Sequence, residues 1–320
     1  MTTTAFPTHP SAATLVPEAS LQGVARLHHL GVIRVQGEDA AKFLHGQLTQ
    51  DFALQGLSEA RLAAFCNAKG RMQASFIALK RAHDDILLVC ALDLLPQTLK
   101  RLSMFVLRAK AKLTDATSAF VLYGASGPVA AQALGGAKLW AKVEQGAGQW
   151  VRLPDAAGQV RALAVWPADD PAPFSETLAE PVWRWLEVRG GVATLTQPVF
   201  EAFVPQMLNY ESVGGVNFKK GCYPGQEVVA RSQFRGTLKR RAYLVHCDEA
   251  LHVGQDVFHA SDAEQACGTV AQAATHPLGG CDAIVSMQIT AADGQTLTVG
   301  SPQGAALTLQ PLPYELLADI

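Results

Sequence analysis

The chain reads as short apolar runs broken by Gly, Asn and Asp, with few long helical stripes. Residues 31–35, 62–66, 72–79 and 86–92 are apolar runs of strand length. Asn67-Ala68-Lys69-Gly70, between the second and the third, has hairpin chemistry. Residues 120–123 and 161–165 predict further strands. Helical spacing is confined to a few places. Phe43, Leu44 and Leu48 predict an amphipathic helix over 38–48. Residues 93–108 predict a second, with Pro96 in its first turn. Residues 180–189 predict a short third that carries Trp183 and Trp185. Strands joined by tight turns favour an α+β fold with antiparallel sheets over a doubly wound parallel sheet. After about residue 240, runs at 243–247, 269–273, 283–289, 296–299 and 306–309 alternate with Gly and Asp turns. That even spacing predicts a small antiparallel barrel or sandwich over 241–320.

At 320 residues, with 49% apolar and 17% charged residues, the chain can bury a sizeable core and is not a disordered one. The first 20 residues are polar, with no basic stretch followed by an apolar one, and read as a flexible tail rather than a signal peptide. The longest clean apolar runs have seven residues, far short of the roughly 20 that cross a bilayer. We therefore expect a soluble, cytoplasmic protein with no membrane partner. No heptad or long apolar helix stands out, so a monomer is expected.

The six cysteines, at 66, 90, 222, 247, 267 and 281, form no CxxC pair and no cluster-ligand spacing. No HExxH occurs, so no metal site is assigned. GxxxxGK[ST] and GxSxG are absent, which removes P-loop enzymes and serine hydrolases of the elbow type.

One segment concentrates the chemistry. Residues 219–241 read KKGCYPGQEVVARSQFRGTLKRR, with seven positive charges and one negative, while the whole chain is −2. Such a stretch either attracts an anionic ligand or forms a solvated basic face. Pro224 suits a first helical position, and Glu227 and Arg231 are spaced to pair along that helix. Cys222 then precedes a helix N-terminus beside Lys219 and Lys220, which favours thiolate over thiol. The alternative is an inert buried thiol. No histidine or carboxylate partner is adjacent to Cys222 in the sequence.

KGCYPGQEVVAR, with GGVNFKKG before it and FRG..KRR after it, resembles the signature of the YgfZ family. These are folate-binding proteins related to the aminomethyltransferase, or T-protein, of the glycine cleavage system. LHGQLTQD (44–51), NAKGRM (67–72), Trp185-Leu186 and PLPYEL (311–316) fall in the order the resemblance requires. It extends over about residues 25–316. It implies a T-protein-like, three-part ring around a folate site, with two interleaved subdomains over 21–240 and the barrel behind them. It implies tetrahydrofolate or a derivative as cofactor, and a supporting role in iron–sulfur cluster assembly or repair and in cluster-dependent tRNA modification. Partner proteins would be cluster-assembly or cluster-containing proteins.

Lys220, Gly221, Cys222, Tyr223, Gly225, Gln226 and Glu227 carry over from the motif. Trp185 matches an aromatic that can stack on a pterin, although plain core packing is the other reading. Arg231 or Arg235 would draw the glutamate tail. Cys222 would handle sulfur, iron or a one-carbon unit. The chain also departs from the related transferases. MQASFIAL (72–79) lacks the aspartate expected after Gly70-Arg71, EVRGGVATL lacks the expected glutamate after Trp185, and Leu30 replaces an aromatic. These departures count against the alternative reading, a folate-dependent aminomethyl or one-carbon transferase. Direct tRNA binding through 219–241 is disfavoured by the net charge and by only 7% aromatic residues.

Overall fold

The computed structural model describes residues 16–234 and 238–317. The expected tail lies outside these residues up to position 15. Beyond it, Glu18–Leu21 is a short 3-10 turn with Leu21 buried, so the chain is already anchored there.

In chain order the elements are β1 (Gly23–Arg26), β2 (Leu30–Gln36), α1 (Ala40–Gln47), β3 (Ala60–Cys66), β4 (Met72–Ala82), β5 (Asp85–Ala91), α2 (Leu95–Ser103), β6 (Lys112–Asp115), β7 (Phe120–Ser126), α3 (Pro128–Leu134), β8 (Lys142–Gln145), β9 (Gly148–Ala156), β10 (Gln159–Pro167), α4 (Glu180–Arg189) and α5 (Gln226–Phe234). The C-terminal strands are β11 (Arg240–Cys247), β12 (Asp256–His259), β13 (Asp262–Thr275), β14 (Cys281–Gln288), β15 (Leu297–Val299) and β16 (Ala306–Gln310). No helix among the described residues is long and apolar enough to cross a membrane.

The strands form three antiparallel assemblies. One sheet runs β3-β4-β5-β2-β6, a second runs β1-β7-β10-β9-β8, and β11-β14-β13-β12-β15-β16 close into a barrel. Closure leaves the barrel with no edge strand to protect. The fold class is thus α+β with antiparallel sheets and a small C-terminal barrel, as the spacing of the strand runs predicts. Strands β2 to β5 coincide closely with the apolar runs. They are buried on both faces, which explains why they read as continuous runs rather than alternations.

The differences are local. The helix expected over 93–108 stops at Ser103. Met104 and Leu107 beyond it are exposed, and Leu107 takes a positive φ of 43°, so nothing there continues the buried stripe. Strands β1, β6, β8, β9 and β12 and helix α3 escape the pattern. β1, β6, β8 and β12 have four residues each, β9 carries Pro154 within its run, and α3 is small and alanine-rich.

Helix α4 joins the assemblies. Trp183 and Trp185 are two positions apart, hence about 200° around the helix, and serve opposite sides. Trp183, fully buried, lies on Gly124 of β7. A Cβ at Gly124 would overlap ring carbons of Trp183. Trp185 faces the barrel, its Nε1–H donating to Asp282 of β14 at 2.8 Å and its ring meeting His276 edge-on at 5.1 Å. Gly124→Ala is therefore expected to cost about 1–3 kcal/mol through overpacking. Urea unfolding with an unchanged m-value would measure it; an unaltered midpoint would show that α4 slides freely on the sheet.

Candidate functional site

A cavity of about 60 Å³ lies between the two sheets, α4 and the segment that follows it. Its walls include Leu30 of β2, Ser75 of β4, Arg161 of β10, Trp183 and Glu187 of α4, and Tyr210. Arg161 is 3% exposed, and its guanidinium sits 4.7 Å from the centroid of the Trp183 ring. Its Nη1 donates to the Leu186 carbonyl at 2.8 Å, whereas its buried Nε–H has no partner. Burial pushes the Arg161 guanidinium down to about 10, against the pull of Glu187.

Glu187 accepts the Trp183 Nε1–H at 2.9 Å, and His29 bridges Glu187 and Glu180 at 3.1 and 3.2 Å. Burial works against its charge, but His29, Arg161 and Arg184 outweigh it and hold the carboxyl below the usual range. The cavity thus offers a flat indole, one orphaned donor and one carboxylate.

The segment around Cys222 forms a second locus. Gly225, at φ +79°, sits on the turn between β3 and β4: a Cβ there would overlap the Asn67 carbonyl and meet the Gly70 backbone nitrogen at 2.7 Å. Gly70, at φ +71°, faces Val228 in return. Only glycine fits both positions. The Asn67 side chain holds that turn by accepting the backbone N–H groups of Lys69 and Arg71 at 2.9 and 3.0 Å. Lys220 is buried, its Nζ donating to the carbonyls of Leu48 and Gly221, both at 3.1 Å, and lying over the Tyr223 ring at 4.5 Å. Burial pushes its ammonium down to about 8, against the opposing charges of Asp51 and Cys222. The Tyr223 hydroxyl is buried without a partner. Cys222 is exposed, and the other five cysteines are buried.

The GCVT N-terminal domain family matches residues 20–164. The tRNA-modifying protein YgfZ of Colwellia psychrerythraea is 30% identical over an alignment that covers both chains in full. The chain belongs to the YgfZ family. The YgfZ protein of Edwardsiella ictaluri is 29% identical, across 88% of this chain and 89% of its own. The aminomethyltransferase T of the glycine cleavage system from Bartonella henselae shares the fold, with a TM-score of 0.62 at 16% identity, over 91% of this chain and 85% of that one.

The YgfZ signature residues do not gather at the cavity. Lys220, Cys222, Tyr223 and Gln226 belong to the second locus, where Gln226 Nε2 reaches the Lys220 carbonyl at 3.5 Å. Glu227 and Arg231 pair with each other at 2.8 Å on the surface, 85% and 68% exposed. Such a pair contributes little, about 0.3–0.5 kcal/mol. Arg235 lies outside the described residues. Trp185 is engaged with the barrel and is absent from the cavity wall; the tryptophans that line the cavity are Trp183 of α4 and Trp140.

Neither Trp183 nor Glu187 stands out in the sequence as a site residue. Their four-residue spacing on a helix is the signal that joins them, since it places both on one face. Glu187, the first residue of EVRGGVATL, puts a carboxylate on that face. The basic count of 219–241 also overstates the surface charge. Lys220 is buried, and Arg241 is buried in an ion pair with Glu211 at 2.8 Å.

Because the folded carboxyl of Glu187 titrates below its unfolded value, its contribution is present above about pH 4.3 and is lost as pH falls through the folded value. Glu187→Gln is expected to cost about 1–3 kcal/mol at neutral pH. It should also flatten the acid limb of stability against pH, measured by urea midpoints. An acid limb as steep as that of the wild type would assign the pH dependence to other carboxylates.

Proposed function

We propose that this YgfZ-family chain binds tetrahydrofolate or a derivative in the central cavity and supports tRNA modification. In this reading it does so by assisting assembly or repair of the iron–sulfur clusters of modifying enzymes. Family membership and the names of its relatives support the tRNA link. The observation that carries the ligand is the cavity wall, where Arg161 Nε–H is orphaned beside Trp183 and Glu187. A reduced pterin presents a flat face, N–H donors and ring acceptors, and those three side chains are the complementary set. Trp183 would face the ring, Glu187 would accept from its N–H groups, and Arg161 would donate to an acceptor. When bound, the folate would supply a one-carbon unit or a reduced ring.

The cavity's 60 Å³ is smaller than the roughly 150 Å³ that accommodates a benzene. Entry of a bicyclic ring therefore requires the Arg161 guanidinium to leave its place over Trp183. Its unpartnered Nε–H makes that departure less costly than breaking a fully bonded arginine.

Turnover as an aminomethyl transferase has less support. β4 carries no carboxylate, and Glu187, the one acid lining the cavity among the described residues, is already engaged by His29 and Trp183. The accessory reading needs no general base there.

Tryptophan fluorescence titrated with tetrahydrofolate tests the ligand. Saturable quenching is expected in the wild type and in Cys222→Ser. Affinity should fall about tenfold or more, worth at least 1.4 kcal/mol, in Glu187→Gln and in Trp183→Phe, but not in Trp185→Phe. No saturable binding to wild type, or equal losses for both tryptophans, would remove the ligand from this cavity. In a strain lacking the protein, cluster-dependent tRNA modification should return with wild type and fail with Glu187→Gln.

A further inference from the structure

His45 stands in the last turn of α1, its Nδ1 facing Asp51 Oδ1 at 3.1 Å. Asp51 is 8% exposed and also accepts the Leu54 backbone N–H at 2.9 Å. Burial disfavours its charge, but the Leu54 and Ala53 N–H groups and His45 outweigh it and hold the carboxyl below the usual range. A carboxylate at Nδ1 keeps the ring proton there, which leaves the Nε2 lone pair directed away from Asp51. Nε2 lies against the second locus: a Cβ on Gly221 would stand 3.3 Å from it. The next residue is the exposed Cys222. Lys220, on the other side of Gly221, reaches both Asp51 and Cys222 with its charge.

We propose that His45 acts as the base for Cys222, with Asp51 as the positioning residue, making Cys222 a nucleophile for thiol exchange. Three elements supply the parts: α1, the turn after it, and the loop before α5. The chemical class of substrate is an accessible S–S bond. The Cys222 sulfur attacks one sulfur of that bond and its proton passes to His45 Nε2. A new S–S bond forms as the old one breaks. The leaving sulfur departs with the electron pair and takes the proton back from His45. No outside oxidant or reductant enters the exchange. The charged groups that act on the cluster are Asp51 and Lys220, with Lys80 of β4 facing Asp51 from the interior. This inference does not rest on the folate reading, since no residue of the cavity wall takes part.

The test is the rate of iodoacetamide alkylation of the full chain across about pH 5–9, read by mass at Cys222. Five of the six cysteines are buried, so the label reports one thiol, and Cys222→Ser should abolish it. In the wild type the rate is expected to hold well below the ordinary thiol value of about 8.5. At neutral pH it should exceed that of His45→Asn about tenfold or more. Asp51→Asn should move the profile part of the way. Glutathione disulfide should form a mixed disulfide at Cys222 with the same ranking of variants. A wild-type profile that follows one ordinary thiol near pH 8.5 overturns the proposal without any variant. So does a His45→Asn profile that superimposes on the wild type while folate affinity stays normal.

Discussion

The burial of Arg161 at the junction of the two sheets is the constraint around which the molecule is arranged. A guanidinium 3% exposed must exchange water for fixed partners, and the fold supplies few. The Leu186 carbonyl takes one N–H, the Trp183 indole offers its face, and Glu187 supplies the nearby negative charge. All three come from α4, so the helix has little freedom to rotate. Gly190, just past its end, is required for the same reason, because a Cβ there would overlap Arg161 Nη1. Gly124 is required on the sheet side, where Trp183 lies flush with β7. With the helix fixed, Trp185 is carried to the opposite side, where its bond to Asp282 secures the barrel. One buried cation thus sets the cavity wall and the attachment of the C-terminal barrel together.

The second locus depends on a different device, a contact between two turns that only glycines allow. Gly70 and Gly225 bring the β3–β4 hairpin against the loop before α5, and the Lys220 ammonium bonds the Leu48 carbonyl beyond the end of α1. LHGQLTQD, NAKGRM and KKGCYPGQE are far apart in the chain yet are one place in space. Three stretches that look like independent signatures in the sequence are a single structural unit. This is why His45, remote from Cys222 in number, lies beside its loop.

Element types were legible because burial on both faces writes β2 to β5 as unbroken apolar runs. The even turns after residue 240 likewise announced the closed sheet, though not whether it would be a barrel or a sandwich. The site was less legible, and for a specific reason. On α4 the residues Trp183, Trp185, Leu186 and Val188 are all buried, so hydrophobic periodicity does not say which tryptophan meets the cavity and which the barrel. Only the positions of Gly124 and Asp282, distant in sequence, decide it. Charge counting fails similarly over 219–241, since Arg241 and Lys220 are internal groups held by Glu211 and by backbone carbonyls.

The two loci are linked through the chain between the Asn67–Gly70 turn and the cavity wall. Gly70, on which the Cys222 loop rests, and Ser75, in the cavity wall, are five residues apart on nearly extended chain, roughly 15 Å. One path between them is β4, which leaves the Asn67–Gly70 turn and runs straight into the cavity wall at Ser75 and Phe76. Neighbouring strands β3 and β5 pair with it on both sides and hold it in place. The cavity wall and the turn that carries the Cys222 loop are thus joined along one strand.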